Sequence, residues 1–93
     1  MPSPAAPPVI PELSNRIRRL IYQASYTGMK ELDLLLGHFA KMHLPHLNDS
    51  DLTDFENLLE AGDSAIYAWV MGNAPLPDAY DTPVFHLIKK FEK

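Results

Sequence analysis

The stretch that decides the fold is residues 15–43, NRIRRLIYQASYTGMKELDLLLGHFAKMH. On both sides of Gly28 the apolar residues recur at helical spacing, and the glycine permits a sharp change of direction between the two segments. The pattern predicts one helix from about residue 15 to about 26 and a second from Met29 to about His43, joined by a tight corner. The apolar stripes are Ile17, Leu20, Ile21 and Ala24, then Leu32, Leu35, Leu36, Phe39 and Met42, with Leu34 widening the second.

Three more helices are predicted downstream of Pro45, which ends the second helix. Thr82 followed by Pro83 is a strong helix start, and residues 73–81 before it contain two prolines and no periodicity, so they are predicted to form a loop. Trp69 is interpreted as the core anchor of the fourth helix. The other predicted caps are Asn48 or Asp49 and Asp63, and the predicted stops are Gly62 and Gly72.

Prolines dominate the beginning of the chain. Because most of the first eleven residues are proline or alanine, residues 1–13 are predicted to be a disordered Pro/Ala-rich tail. Ser14 or Asn15 is the expected N-cap of the first helix. No segment shows the sustained alternation of a strand. The expected fold is therefore all-α, a single small five-helix bundle over residues 14–93.

Composition excludes several classes of function. The chain has 93 residues, no cysteine and four glycines, which excludes disulfide, zinc-ribbon and thiol chemistry and leaves no phosphate-cradling loop. Its formal charge of −4 argues against a nucleic-acid partner. No apolar run approaches the roughly 20 residues of a membrane span, and no secretory signal is recognisable. A cytoplasmic protein without membrane insertion is expected.

Charge is sorted along the sequence. The first predicted helix carries three arginines, residues 47–63 carry six carboxylates, and the last residues are mildly basic. The acidic block is interpreted as a solvated helix surface. The basic first helix borders the glycine corner and is interpreted as a docking element. Its arginines are Arg16, Arg18 and Arg19.

Catalytic and metal sites are not expected. The serines lie at predicted helix ends, where capping explains them, so the chain is not predicted to be an enzyme. His38 and His43 are five residues apart on one helix and point in different directions, and His46 lies beyond the proline that ends that helix. No metal site is therefore predicted.

Two interpretations fit the corner. Glu31 falls at the third position of the second predicted helix, where its carboxylate can accept backbone N–H bonds and complement the helix dipole. In the other interpretation, Glu31 and Asp33 form an exposed polar patch together with the arginines of the first helix. Such a patch on a rigid corner suits recognition of a partner better than catalysis. Residue patterns alone do not separate the two.

Three runs carry a family resemblance: RRLIY at residues 18–22, GMKELDLLLG at 28–37, and FA at 39–40. This pattern resembles the succinate dehydrogenase assembly factor 2 family, whose bacterial members are FAD assembly factors for succinate dehydrogenase. The resemblance covers about residues 14–91. It continues downstream through Leu52, Phe55, Glu56, Leu58, Leu59, Asp63, Trp69, Gly72 and Pro75.

The resemblance implies a five-helix domain that promotes covalent attachment of FAD to the flavoprotein subunit of succinate dehydrogenase and, for some members, of fumarate reductase. It also implies that the chain holds no stable cofactor and that the FAD belongs to the partner. The family hallmark is Arg-Gly-x-x-Glu, and Thr27 stands at the position of its Arg. A monomer is expected. The predicted partner-binding residues are Gly28, Glu31, Thr27, Met29, Asp33, Arg16, Arg18, Arg19 and Tyr22.

A second class of function fits the composition equally well. An acidic helical domain of this size is also typical of an antitoxin-like or regulatory adaptor that plays no part in flavin attachment.

Overall fold

The described part of the chain contains five α-helices, as the sequence predicts. The computed structural model describes residues 11–92, with side chains from residue 15 onward. Within that range all regular secondary structure is helical, and two short 3-10 turns, Leu44–His46 and Asp78–Tyr80, lie in the connections. No described helix is long and apolar enough to cross a membrane. The helices are α1 (Pro11–Ser25), α2 (Lys30–His43), α3 (Asp49–Glu60), α4 (Asp63–Met71) and α5 (Pro83–Glu92).

Two predicted helix starts are wrong. Helix α1 begins at Pro11, so neither Ser14 nor Asn15 is its cap. A proline with fixed φ and no N–H suits a first helical turn, where that N–H has no partner anyway. The N-cap of α4 is Gly62, with φ of 95°, and Asp63 is the first helical residue. Of the predicted tail, residues 1–10 lie outside the described residues.

The other capping signals act as predicted. The Asn48 side chain accepts a hydrogen bond from the backbone N–H of Asp51 at 2.8 Å and so caps α3. At the start of α5, the Thr82 hydroxyl accepts one from the N–H of Phe85 at 3.3 Å. Each cap satisfies a donor that the first helical turn leaves unpaired. Gly72 ends α4, also as predicted.

The core is built around two phenylalanines. The rings of Phe39 on α2 and Phe55 on α3 are fully buried and lie 5.9 Å apart, between centroids. Trp69, predicted to be the core anchor, is only partly buried and stacks on Tyr80 at 4.9 Å. Trp69 therefore packs at the edge of the core, where the connection between α4 and α5 covers it. The buried apolar residues around the two phenylalanines are Leu20, Ala24, Leu32, Leu36, Ala40, Leu44, Leu52, Leu58, Ile66, Val70, Val84, Phe85 and Ile88.

The apolar stripe of α2 is narrower than predicted. Leu34 is 55% exposed and Met42 is 63% exposed. Leu34 follows the buried Leu32 by two positions, which turns it about 200° around the helix, away from the core. Both residues belong to the outer surface of α2.

Helices α1 and α2 lie very close to each other at Gly37 and Ser25. A Cβ atom placed on Gly37 would lie 2.7 Å from the Ser25 hydroxyl oxygen and 3.4 Å from the Ser25 Cβ. That hydroxyl donates to the carbonyl of Ile21 at 2.8 Å. The absence of a side chain at position 37 thus allows the end of α1 to rest directly on α2, which holds the corner closed.

We expect Gly37→Leu to destabilise the domain by about 1–3 kcal/mol, because the added side chain must force α1 and α2 apart. The free energy of unfolding, measured by urea denaturation, checks this. His38→Leu is the matched control, since His38 is the next residue and is exposed. Equal stability of the two variants would contradict the close contact.

Candidate partner-binding site

The corner between α1 and α2 is a four-residue connection whose shape depends on Gly28. Its φ is +114°, a region that residues with a side chain rarely adopt. A Cβ atom at this position would also lie 3.1 Å from a carboxylate oxygen of Asp63, the first residue of α4. Backbone strain and space therefore both favour glycine. The connection brings the end of α1, the start of α2 and the start of α4 to one place.

Asp33 ties the corner together from within. One of its carboxylate oxygens accepts hydrogen bonds from the backbone N–H of Thr27 at 2.6 Å and from the Thr27 hydroxyl at 2.5 Å. The same hydroxyl lies 3.5 Å from the backbone nitrogen of Met29. Asp33 is half-buried. The carboxylate predicted as part of an exposed recognition patch is therefore engaged in holding the connection in shape.

Glu31 has the opposite environment. It is exposed on the first turn of α2, and no described group hydrogen-bonds to its side chain. The capping role considered for Glu31 is not observed, since no side chain caps the start of α2, and Asp33 instead reaches back across the corner to Thr27. Met29 is half-buried and packs against the core. Among the predicted residues of the corner, Gly28 and Glu31 are thus the ones presented to solvent.

The three arginines of α1 do not act as a group. Arg16 donates to the Thr53 hydroxyl at 3.0 Å and to a Glu56 carboxylate oxygen at 3.4 Å, and so joins α1 to α3. Arg18 donates to the Asn15 side chain one turn earlier, at 2.5 Å. Arg19 is exposed. All three lie at least one helical turn from the corner, and Arg16 is already occupied by the fold.

A groove opens beside the corner, between the end of α1 and the end of α3. Its volume is about 370 Å³. Tyr22 is one of the predicted partner-binding residues. Tyr26 and the acidic wall of the groove, formed by Glu56, Glu60 and Asp63, are not among them. Tyr22 lies in the last turn of α1, and Tyr26 follows the end of that helix four residues later, off its apolar stripe. This spacing is the signal that could have indicated the pair. The lining residues are Tyr22, Gln23, Tyr26, Thr27, Glu56, Leu59, Glu60, Gly62 and Asp63.

Comparisons with known proteins identify the family to which the chain belongs. Residues 18–92 match the family described as "Flavinator of succinate dehydrogenase". The chain belongs to this family. The match includes the corner, the groove and all of α2 to α5.

Individual relatives agree with the family match. A mitochondrial succinate dehydrogenase assembly factor 2 of Dictyostelium discoideum is 36% identical over 80 residues, covering 86% of this chain and 57% of the relative. One from Meyerozyma guilliermondii is 42% identical over 76 residues, covering 77% and 56%. The FAD assembly factor SdhE of Acetobacter pasteurianus is 38% identical over 72 residues, covering 77% and 66%. The chain thus spans between half and two thirds of the length of these relatives.

We expect Asp33→Ala to cost about 1–2 kcal/mol of folding free energy, since two donors of Thr27 lose their shared acceptor. The exchange rate of the Thr27 backbone amide should rise in the same variant. Thr27→Val removes only the hydroxyl and should cost less, while Asp33→Asn keeps an acceptor oxygen and should preserve most of the amide protection. Undiminished protection of the Thr27 amide in Asp33→Ala would contradict this role of Asp33.

Proposed function

We propose that this chain is an assembly factor that promotes covalent FAD attachment to the flavoprotein subunit of succinate dehydrogenase. The family match over residues 18–92 carries the proposal. The relatives are named for succinate dehydrogenase assembly or for FAD assembly, in a eukaryotic lineage and in a bacterium alike. An antitoxin-like adaptor has no comparable support.

The corner suits the work of a binding surface. Gly28 brings the backbone to the surface without a covering side chain, and Glu31 presents an exposed carboxylate on the first turn of α2. Because Asp33 and the contact at Gly37 fix the shape of this connection before any partner arrives, little conformational entropy is lost on binding. In the proposed role, the corner docks on the flavoprotein and holds it in an arrangement competent for flavin attachment.

The chain acts in this proposal without being an enzyme. The bond to FAD is made by the flavoprotein at its own histidine, and the FAD is held by that partner. The factor contributes binding energy and orientation only. We further propose that it works as a monomer, that fumarate reductase is a second client, and that the cytoplasm is its site of action.

Thr27 distinguishes this chain from the hallmark of the family that it resembles, in which an arginine precedes the glycine. Threonine cannot provide the planar, bidentate charged donor that an arginine gives to a carboxylate. Its hydroxyl is used internally, on Asp33. We propose that this member docks on its partner without a cation at position 27 and therefore binds less tightly.

Replacing Glu31 by Ala should lower covalent flavin on the partner about fivefold or more, the loss expected when an interface residue worth over 1 kcal/mol is truncated. In-gel flavin fluorescence of the denatured flavoprotein subunit measures this in cells lacking the native gene. Glu92→Ala removes the same charge from the end of α5. Its neighbour Phe91 packs on His43 at the other end of α2, so the control lies far from the corner.

Normal flavin fluorescence with the Glu31 variant, at matched levels of folded protein, would remove the corner from the working surface. An unchanged band in the deletion strain itself, together with altered growth, would instead favour the regulatory adaptor.

Thr27→Arg should strengthen binding to the flavoprotein subunit by about tenfold, which corresponds to 1.4 kcal/mol. Isothermal titration calorimetry gives the dissociation constant directly. Thr27→Val is the matched control, because it also removes the hydroxyl that bonds to Asp33 but adds no cation. Equal or weaker binding of the arginine variant would show that position 27 does not limit affinity.

A further inference from the structure

The groove beside the corner combines two exposed aromatic rings with an acidic wall. Tyr22 is 66% exposed and Tyr26 is 69% exposed, and their ring centroids lie 4.7 Å apart with an interplanar angle of 42°. Neither ring contributes to the buried core. A paired, solvent-facing aromatic surface of this kind is a common anchor for a partner group, because it offers large contact area at little entropic cost.

The opposite wall carries three carboxylates and, among the described lining residues, no basic side chain. Glu56 is the least available of the three, since Arg16 lies 3.4 Å from it. Glu60 and Asp63 have no ion-pair partner among the residues that the structure describes. The groove therefore presents about two unneutralised carboxylates opposite two aromatic faces.

Glu60 lies at a position that is electrostatically unfavourable for its own helix. It is the last residue of α3, where the helix dipole is negative and a carboxylate is unfavourable. It is exposed and makes no hydrogen bond with its side chain to any described group. Folding gives no reason for a carboxylate at this position, whereas binding of a cation does.

We propose that this groove receives an arginine side chain from an exposed segment of the flavoprotein partner, an inference that rests on the proposed function. A guanidinium group can stack on the exposed face of Tyr26 and donate to Glu60 and Asp63 at the same time. Lysine has neither the planar fork nor the stacking surface. The groove reaches the corner directly, because Asp63 also lies beside Gly28.

This arrangement makes one continuous docking surface of two parts. The corner presents Gly28 and Glu31, and the groove presents Tyr26, Glu60 and Asp63. A guanidinium held in the groove fixes the orientation in which the corner meets the same partner. The aromatic pair supplies contact area, and the carboxylates supply charge complementarity and a faster encounter.

The first experiment tests the groove without any partner. The ¹⁵N-labelled protein is titrated with N-acetyl-arginine methylamide, and amide shifts are followed by NMR. We expect millimolar, saturable binding, with the largest shifts at Tyr26, Glu60 and Asp63. N-acetyl-citrulline methylamide has nearly the same shape without the charge, so equal shifts with this neutral probe would overturn the proposal.

The matched variants are Glu60→Gln and Asp78→Asn. Each removes one negative charge, and Asp78 lies in the connection before α5, outside the groove lining. Glu60→Gln should weaken binding of the arginine probe at least fivefold and should leave the midpoint of thermal unfolding unchanged or higher, because it relieves the end of α3. Asp78→Asn should change probe affinity less than twofold. A Glu60→Gln variant with native probe affinity contradicts the assignment.

The second experiment uses the isolated flavoprotein subunit and calorimetry at two salt concentrations. Glu60→Gln should bind it at least fivefold more weakly than the wild-type chain and with a smaller salt dependence, while Asp78→Asn should bind as the wild type does. If the wild type binds and Glu60→Gln binds equally well, the groove inference fails and the proposed function stands. If the wild type does not bind at all, the proposed function fails, and the probe titration alone decides whether the groove is an arginine site.

A second copy of the chain is the competing occupant, since Arg18 and Arg19 are exposed on α1. Sedimentation equilibrium over a hundredfold concentration range separates this case. A monomer throughout supports the flavoprotein as the source of the arginine. Self-association that is lost in Glu60→Gln and in Arg19→Gln would overturn it.

Discussion

The contact between Gly37 and Ser25 is the constraint on which the remaining structure depends. With no side chain at position 37, the end of α1 lies directly on α2, so that a Cβ atom on Gly37 would come within 2.7 Å of the Ser25 hydroxyl oxygen. Leu20 and Ala24 of α1 and Leu36 of α2 all belong to the buried core. The close approach also leaves only four residues to reverse the chain, so the connection must turn sharply, and Gly28 adopts its positive φ for that reason. The geometry of the corner is thus a consequence of how closely two helices pack.

A connection this short needs internal support because its backbone donors cannot all find helical partners. Asp33 provides it by accepting both the N–H and the hydroxyl of Thr27. The two carboxylates in the first turns of α2 therefore have different roles. Asp33, on the inner side of the first turns, is used by the fold, and Glu31, on the outer side, remains exposed, as its proposed docking role requires. A surface held in this way loses little freedom when it binds, which is what a factor that orients a larger protein requires.

Local chemistry made most of the fold predictable from the sequence, and long-range contacts account for what was missed. Asn48 and Thr82 act as caps because the groups that they satisfy lie within three residues. The role of Asp33 could not be separated from that of Glu31, since both carboxylates lie within the first turns of one helix and only the path of the corner decides between them. Arg16 reaches a residue forty positions away on α3, a pairing that no spacing rule reveals. The groove is even harder to predict from the sequence, because its two walls come from segments that meet only in the folded chain.

The fold brings several carboxylates of residues 47–63 next to α1. The acidic block is interpreted from the sequence as a solvated surface, and the fold neutralises part of it, with Arg16 bonded to Glu56 and 4.0 Å from Asp49. At its end no described cation performs that role for Glu60 or Asp63. The end of α3 and the start of α4 therefore carry unneutralised carboxylates, and the exposed tyrosines line the same groove. Because a carboxylate at a helix C-terminus costs stability, and because the chain has arginines that are not used there, the position of Glu60 is better explained by a cation that arrives from outside.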